Sequence, residues 1–448
     1  MELTQYTYRN IVRLTVEAET PIAVGSGNKD LITDSTVIRD INGLPFIPAT
    51  SIAGVVRHAI ALEDDEDRLL FGYQDRKGGR GSSLLFTDAV MVGADGKALD
   101  GVQLIDWTDE LYAAYQTLPL RQHVRIGDKG ATEKTGKFDN EVVYKGTRFV
   151  FEMELLSEQP CTELFEKVVG MLYQDTLRIG SGTRSGYGKL RVVACQSATL
   201  DLGEKEDLDA YLQKSASLAM PWDGFHDVGE KKSGYDKEEW VKYSLLLRPQ
   251  DYFMIGSGLG DDEVDNTPME EKVVEWREGK PRMSPKPQVL IPGSSVKGAL
   301  AHRTAYNYNK LLGLYVGNEA ARTGGENKAV ASIFGKADGQ EIKRGNILVN
   351  DIVEGDMENK IFFHVKIDAF TGGAMDGALF QEKAVSGNGR EYSLEILVKK
   401  SALEDTDVCK AFEQSLNELA CGMLPIGGAT NRGYGMFVGE ITKNGETL

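Results

Sequence analysis

The sequence has few cysteines, no long apolar run and a shortage of basic residues. Its four cysteines show none of the short Cys–Cys or Cys–His spacings of zinc sites and disulfide frameworks. No apolar stretch approaches the roughly 20 residues of a membrane helix. Met1–Gln5 lack the basic-then-apolar pattern of a signal peptide. These shortages argue against a zinc site, a disulfide scaffold and a membrane span, and we expect a cytoplasmic protein.

Acidic residues outnumber basic ones, 68 to 51, so the net charge is −17. A free nucleic-acid binder usually carries the opposite balance, because phosphate contacts need lysine and arginine. Much of the acid lies in three runs that are typical of solvated loops, at 63–67, 204–209 and 261–263. The net charge is therefore compatible with a local basic groove.

A short glycine-rich motif with one aspartate occurs twice in the 448 residues. Val24–Gly27 precedes Asp34 and Ile255–Gly258 precedes Asp265, and each aspartate comes seven residues after the last glycine. Four further pairs of segments recur in the same order: Phe46–Gly54 and Leu290–Gly298, Leu70–Gly72 and Ile333–Gly335, Leu84–Asp88 and Ile347–Asp351, and Ile179–Gly188 and Ile426–Gly435. Five ordered matches identify a tandem duplication.

Each half shows the order β-α-β-β-α-β. An alternating strand opens it, at Ile11–Ala18 or Tyr243–Arg248, and a helix follows a proline and a hydroxyl residue that we expect to cap it. This is the ferredoxin-like plan that RNA-recognition domains share. The sequence therefore predicts an α+β protein with two RRM-like domains, 1–198 and 239–448, and an acidic connector, 199–238, with one short helix.

Three long segments interrupt this plan. Val124–Gly146 and Val365–Gly389 are too long and too rich in glycine and lysine for ordinary hairpin turns, so we expect protruding elements. Thr267–Pro287 contains an insertion of thirteen residues relative to the first half and several prolines, which predicts a loop or excursion.

Together these motifs resemble the RAMP superfamily of CRISPR-associated proteins, most closely the repeated backbone subunit of type III effector complexes. The resemblance rests on Gly25–Gly27, Asp34 with Val37–Asp40, the Ile-Pro-x-x-Ser helix starts and the late glycine-rich turns. It implies two RAMP domains with thumb hairpins that interrupt a guide–target duplex, and a loop aspartate that cleaves target RNA beside each thumb. It also implies a divalent metal, Mg or Mn. The implied partners are CRISPR guide RNA, target RNA, other RAMP subunits and a large signature subunit.

Asp34 and Asp265 are the candidate catalytic and metal-binding residues. Asp34 keeps the family's surroundings, whereas Asp265 is matched by spacing alone, with Pro268–Met269 in place of Val37–Ile38. A carboxylate can act as a base toward a ribose 2′-hydroxyl or hold a metal that does so. The hydroxyl then attacks its neighbouring phosphate, so RNA and not DNA would be cut.

The candidate RNA contacts are helix N-termini, glycine-rich turns and nearby basic residues, because free N–H groups and glycine backbone can approach phosphates closely. The predicted RNA-binding residues are Gly25, Ser26, Gly27, Thr50, Ser51, Arg57, Gly182, Arg184, Gly256, Ser257, Gly258, Ser294, Ser295, Lys297, Arg303, Asn431 and Arg432. Capped helices and tight hairpins are the purely structural alternative for these segments.

The leading interpretation is a backbone subunit that cuts guide-paired target RNA at two places. Two alternatives remain open. One is a tandem scaffold that holds guide RNA without cutting, and the other is a guide-processing endoribonuclease with His58 or His302 as general base.

Overall fold

A computed structural model describes residues 6–28, 33–76, 78–127, 131–160, 162–229, 231–315, 318–338, 341–356 and 358–448. Residues 1–5, on which the expectation about a signal peptide rests, and 128–130, inside the first predicted thumb, lie outside the described residues. No helix in the described ranges is long and apolar enough to cross a membrane.

Both halves mix helices and antiparallel strands. The helices are α1 (Ala49–Ile60), α2 (Asp64–Phe71), α3 (Glu110–Gln116), α4 (Thr162–Met171), α5 (Lys205–Gln213), α6 (Gly293–Leu311), α7 (Lys328–Ile333) and α8 (Thr406–Ala420). The strands of the first half are β1 (Tyr8–Ala18), β2 (Tyr73–Asp75), β3 (Gly78–Arg80), β4 (Leu84–Phe86), β5 (Val90–Met91), β6 (Leu120–Ile126), β7 (Thr132–Glu141), β8 (Arg148–Ser157), β9 (Leu190–Asp201) and β10 (His226–Asp227). Those of the second half are β11 (Trp240–Pro249), β12 (Tyr252–Phe253), β13 (Glu270–Glu271), β14 (Val274–Arg277), β15 (Lys280–Met283), β16 (Gln288–Ile291), β17 (Lys336–Asp338), β18 (Glu341–Lys343), β19 (Ile347–Val349), β20 (Ile352–Asp356), β21 (Asn359–Ile367), β22 (Ala374–Ser386), β23 (Tyr392–Lys399), β24 (Phe437–Lys443) and β25 (Glu446–Thr447).

The two main sheets have the same strand order. In the first half the order is β9-β1-β8-β4, and in the second it is β24-β11-β23-β19. In each sheet the opening strand lies between the third and the last strand of the plan, and all these pairs are antiparallel. This arrangement confirms the predicted α+β, ferredoxin-like fold in both halves.

Each half has its own apolar core beneath its sheet. In the first half, Leu14 and Val16 of β1 pack with Ile52 and Val56 of α1 and with Val168 of α4. The second half repeats this arrangement with residues of β11, α6 and α8. Ile52 and Val56 recur at the i, i+4 spacing of one helix face, so this face of α1 packs against the sheet.

The predicted hydroxyl residues do not cap α1 and α6. The helices begin at Ala49 and Gly293, directly after the prolines, so the predicted hydroxyl caps lie within the first turn and make no capping hydrogen bond. The cap comes from a distant aspartate instead. Ala49 N donates to Asp88 Oδ1 over 2.7 Å, and Gly293 N donates to Asp351 Oδ1 over 2.7 Å.

The connector and the insertion both pack against the first half. The last strand of that half continues to Asp201, past the predicted boundary, and β10 of the connector pairs with it. The insertion is a β-hairpin, β14–β15, rather than a loop. Val274 and Met283 lie in the core of the first half, and Trp276 Nε1 donates to Gly146 O over 2.7 Å.

The two predicted protrusions are long β-hairpins, and we call them the first thumb (β6–β7) and the second thumb (β21–β22). They begin at Leu120 and Asn359, a few residues before the segments picked out in the sequence. Several large apolar side chains on them are exposed, including Phe138, Phe363 and Leu379. A thumb therefore offers apolar surface away from its domain core.

Candidate functional site

The two glycine-rich turns fold into the same loop. Gly25 bridges Val37, and Gly256 bridges Pro268. Inside each loop a serine hydroxyl lies 2.8 Å from a threonine hydroxyl, Ser26 with Thr36 and Ser257 with Thr267. These two serines, predicted as RNA contacts, therefore help to close their own loops.

The loop aspartates occupy matching positions at the roots of the thumbs. Asp34 N donates to Asp139 Oδ1 over 2.8 Å, and Asp139 N donates to Asp34 Oδ2 over 3.3 Å. In the second half, Gln381 N donates to Asp265 Oδ2 over 2.8 Å, and Asp265 N donates to Gln381 O over 3.0 Å. Both aspartates are exposed. Spacing alone paired these residues in the sequence, and in the fold each carboxylate accepts from the backbone N–H of the equivalent thumb residue.

The described side chains of these loops do not form a complete metal site. Within the described ranges no group of three or more His, Cys, Asp or Glu side chains is arranged to hold a metal ion. Mg²⁺ is commonly bound by one or two carboxylates together with substrate phosphates and water. Asp34 with Asp139 fits that pattern better than Asp265, whose neighbour on the thumb is Gln381.

A histidine stacks on a phenylalanine at each thumb root. The ring centroids of His123 and Phe138 are 4.9 Å apart, and those of His364 and Phe380 are 4.8 Å apart. These histidines are equivalent because each faces its phenylalanine across the hairpin in the same register. The two histidines share no short ligand spacing in the sequence, so their equivalence is visible there only when the two halves are aligned along the hairpins.

A cluster of basic side chains lies where the two halves meet, and we call His58, Arg184, Lys297 and Arg344 the basic cluster. Arg344 Nη1 is 3.3 Å from His58 Nε2, and Arg184 Nε donates to Gly345 O over 2.7 Å. Burial and the charge of Arg344 lower the pKa of Arg184 to about 10, and burial and the charge of Arg184 lower the pKa of Lys297. Like charges held this close together favour an anionic ligand.

The basic cluster combines predicted and missed residues. Arg184 and Lys297 were predicted as RNA contacts from their motifs, but Arg344 follows the short β18 strand, outside every motif. Within the described ranges, no ion pair joins a member of the cluster to an acidic side chain. Only the fold brings these four residues together, because they come from different elements of both halves.

Three other predicted RNA-binding arginines have acidic partners. Arg57 is bound by Asp67, Arg303 by Glu418, and Arg432 by Glu382. Glu418 and Glu382 are almost fully buried, so these two pairs help to hold α6 on α8 and the late turn on the second thumb. Each arginine can contact RNA only with part of its guanidinium.

The remaining predicted RNA contacts lie at helix starts and turns. Thr50 is exposed, whereas Ser51, Ser294 and Ser295 are half-buried. Gly27, Gly182 and Gly258 have positive φ angles, 77°, 64° and 82°, which glycine adopts without strain. Gly182 and Asn431 are exposed on the late turns.

Buried ion pairs join the two halves. Arg121, at the root of the first thumb, places Nε 2.8 Å from Glu271 Oε2 and Nη1 3.2 Å from Asp351 Oδ2. Burial alone would lower the pKa of Arg121, but the two carboxylates outweigh it and the pKa is raised. Burial raises the pKa of Asp351 to about 6, although the charge of Arg121 opposes it.

Two equivalent glycines give a matched test of this contact. Gly186 and Gly433 have φ angles of 120° and 93°, so alanine is strained at both. A Cβ at Gly186 would lie 1.7 Å from Asp351 Oδ1, whereas no atom lies within 4 Å of a Cβ at Gly433. We expect Gly186→Ala to cost about 1–3 kcal/mol more unfolding free energy than Gly433→Ala, because only the first overpacks the junction. Chemical denaturation of both variants measures this difference, and equal losses would contradict it.

Comparison with known proteins agrees with the repeated architecture. No curated protein matches the chain. The family model of the RAMP superfamily matches two regions, residues 15–191 and 285–438, one in each half. Together they cover well over half of the sequence. The chain therefore belongs to the RAMP superfamily, as a tandem protein with two copies of its domain.

Proposed function

We propose that this protein is the guide-RNA-binding backbone subunit of a type III CRISPR effector complex, and that it cleaves complementary target RNA at two sites. The observation that carries the proposal is the equivalent placement of Asp34 and Asp265, each exposed at the root of a thumb. Membership of the RAMP superfamily supports the CRISPR-associated, RNA-binding part of this role.

The basic cluster supports RNA binding in spite of the net charge of −17. Phosphates are bound where lysine and arginine are locally concentrated, whatever the charge of the rest of the surface. Arg184, Lys297 and Arg344 meet at the junction of the halves. The sugar-phosphate backbone of an RNA bound there would therefore pass from one half of the protein to the other. The guide strand is the RNA that we assign to this surface.

The thumbs supply the geometry for cleavage. Each carries an exposed phenylalanine close to the thumb residue that its aspartate contacts: Phe138 precedes Asp139 in β7, and Phe363 pairs with Gln381 across the second hairpin. Such side chains can replace the stacking of a base that is turned out of a duplex. The turned-out nucleotide can then place its 2′-oxygen in line with the adjacent P–O5′ bond.

The chemical step needs one base and a positioned ribose. The aspartate carboxylate takes the proton of the 2′-hydroxyl, and the 2′-oxygen attacks the neighbouring phosphorus. The P–O5′ bond breaks, water protonates the departing 5′-oxygen, and a 2′,3′-cyclic phosphate remains. A divalent metal such as Mg²⁺ or Mn²⁺, held by Asp34 with Asp139 or by Asp265, would supply further neutralisation of the phosphate charge.

The test uses the protein purified with its bound small RNA. A complementary target RNA should be cut at two positions, and a single 2′-deoxynucleotide at one of them should abolish that cut and leave the other. The effect should be at least about 10²-fold, because the nucleophile itself is removed. Cleavage that persists at the deoxynucleotide would contradict the mechanism, and purification without any discrete small RNA would contradict the guide-binding role.

A further inference from the structure

The internal repeat allows each half to be used as a reference for the other. In the second half, Glu271 and Asp351 form an acidic pair that receives Arg121 from the first thumb. Glu271 comes three residues after the bridge residue Pro268, and Asp351 caps the first helix of its half. The contact joins two successive domains in a head-to-tail manner.

The first half contains the same acidic pair. Asp40 comes three residues after the bridge residue Val37, and Asp88 caps α1 as Asp351 caps α6. Asp40 Oδ1 accepts hydrogen bonds from Asn42 N and Leu44 N, so its carboxylate is held in place. In the part of the chain that the structure describes, no basic side chain forms an ion pair with Asp40 or Asp88.

The apolar residues beside the acidic pair are buried in the second half and more exposed in the first half, where no domain in the described part of the chain packs against the pair. Leu290 and Val353, beside the pair of the second half, are 2% and 1% exposed. Their counterparts Phe46 and Val90 are only half-buried, and they line an open cavity of about 380 Å³ together with Asp40, Asp88 and Asp100. On the first half, the surface equivalent to the internal junction is therefore open.

Exposed apolar side chains lie on one side of this cavity, on the loops that contain Ile41 and Gly101. Ile41, Val102 and Leu104 are 80%, 82% and 103% exposed, and Asn42 joins their two loops by accepting from Gln103 N and donating to Gly101 O. Apolar surface of this kind beside fixed charges is typical of a protein-binding site.

We propose that the Asp40–Asp88 cavity docks a separate protein subunit that inserts an arginine from the root of a protruding hairpin, as Arg121 is inserted within this chain. The contact would extend the head-to-tail series by one domain beyond the first half. The inference rests on the proposed backbone role and names the partner chemistry at one end of the subunit.

The observations favour this occupant over the alternatives. Nucleic acid is disfavoured because Asp40, Asp88 and Asp100 would repel phosphates. A second copy of this chain would present its second thumb, where Phe362 stands at the position equivalent to Arg121. An aromatic ring cannot donate hydrogen bonds to two carboxylates, so the fitting partner is a different chain.

The test places a photo-crosslinking amino acid at Ile41 of the full chain, produced in its native host so that the assembly forms. We expect a crosslink to a peptide of another protein that carries an arginine, identified by mass spectrometry. Combining Asp40→Asn with Asp88→Asn should lower its yield at least tenfold. Both substitutions keep the Oδ1 acceptors of Leu44 N and Ala49 N, so the hydrogen bonds that hold this turn and the start of α1 are retained.

The matched control is Asp64→Asn with Asp65→Asn, which changes the charge equally on exposed α2 and should leave the crosslink unchanged. Crosslinking to RNA or to a second copy, an absent crosslink, or a yield insensitive to the Asp40 and Asp88 substitutions would each overturn the inference. Bound small RNA and target cleavage are measured on the same preparations. Their loss with docking intact would count against the proposed function instead.

Discussion

Replacing Asp34 and Asp265 together by alanine is expected to abolish both cuts in a guide-paired target RNA. Each single variant should lose one cut and keep the other, because each carboxylate contacts a different thumb. Loss of a general base lowers a rate by about 10²–10⁴-fold. Product lengths on a denaturing gel, measured in single-turnover reactions, separate the two sites.

Two controls distinguish lost chemistry from lost structure. Asp262→Ala removes an exposed acid from the loop that contains Asp265, and it should leave both cuts intact. The bound small RNA should be retained in every variant, since the basic cluster is untouched. If both products persist in the double variant, the aspartate assignment is wrong. If the wild-type protein binds guide and target without cutting, the scaffold interpretation replaces it.

Arg121→Met is expected to cause a large loss of stability, about 3–5 kcal/mol. The substitution removes the cation that pairs with Glu271 and Asp351. Their side chains are only 3% and 0% exposed, so both carboxylates stay buried without a partner. Removing one partner of a buried ion pair lowers the unfolding free energy by this amount because the remaining charges are uncompensated. Chemical denaturation followed by tryptophan fluorescence measures it, since Trp276 lies at the same junction.

A triple variant and a surface control test the cause. Arg121→Met with Glu271→Gln and Asp351→Asn removes all three charges and should recover most of the stability. Arg277→Met breaks an exposed pair with Glu275 and should cost at most about 1 kcal/mol. A cost for Arg121→Met as small as that for Arg277→Met would contradict a buried ionic junction.

The raised pKa of Asp351 adds a dependence on pH. Its contribution to stability is fully present below the pKa of an unfolded aspartate and is lost as pH rises through about 6. The wild-type protein should therefore lose stability relative to the triple variant between pH 4 and pH 7. The same denaturation series at several pH values measures this trend.

The repeated motifs predicted much of the fold. The spacing from Gly27 to Asp34 and from Gly258 to Asp265 identified two loops that are closed by the same serine–threonine contact. The strand order of both sheets follows from the ferredoxin-like plan that each half repeats. These features are local or repeated, so one sequence is enough to find them.

Contacts between distant residues were not predictable in this way. The hydroxyl residues at the helix starts were predicted caps, but Asp88 and Asp351 cap these helices from later segments, at Ala49 N and Gly293 N. Arg57 was predicted as a basic residue near a helix start but is neutralised by Asp67, whereas Arg344 lies in no motif and joins the basic cluster. Whether a charge is free or paired depends on its neighbours in space.

The sequence by itself determined that this protein is a duplication, which residues its halves share, and where each half places an aspartate after a glycine-rich turn. Only the tertiary structure decided how the halves meet, with Arg121 between Glu271 and Asp351 and the β14–β15 hairpin in the core of the first half. The physical reason is the range of the interactions. Turn conformation and helix periodicity are properties of neighbouring residues, whereas buried charge pairing and core packing join residues that are far apart in the chain.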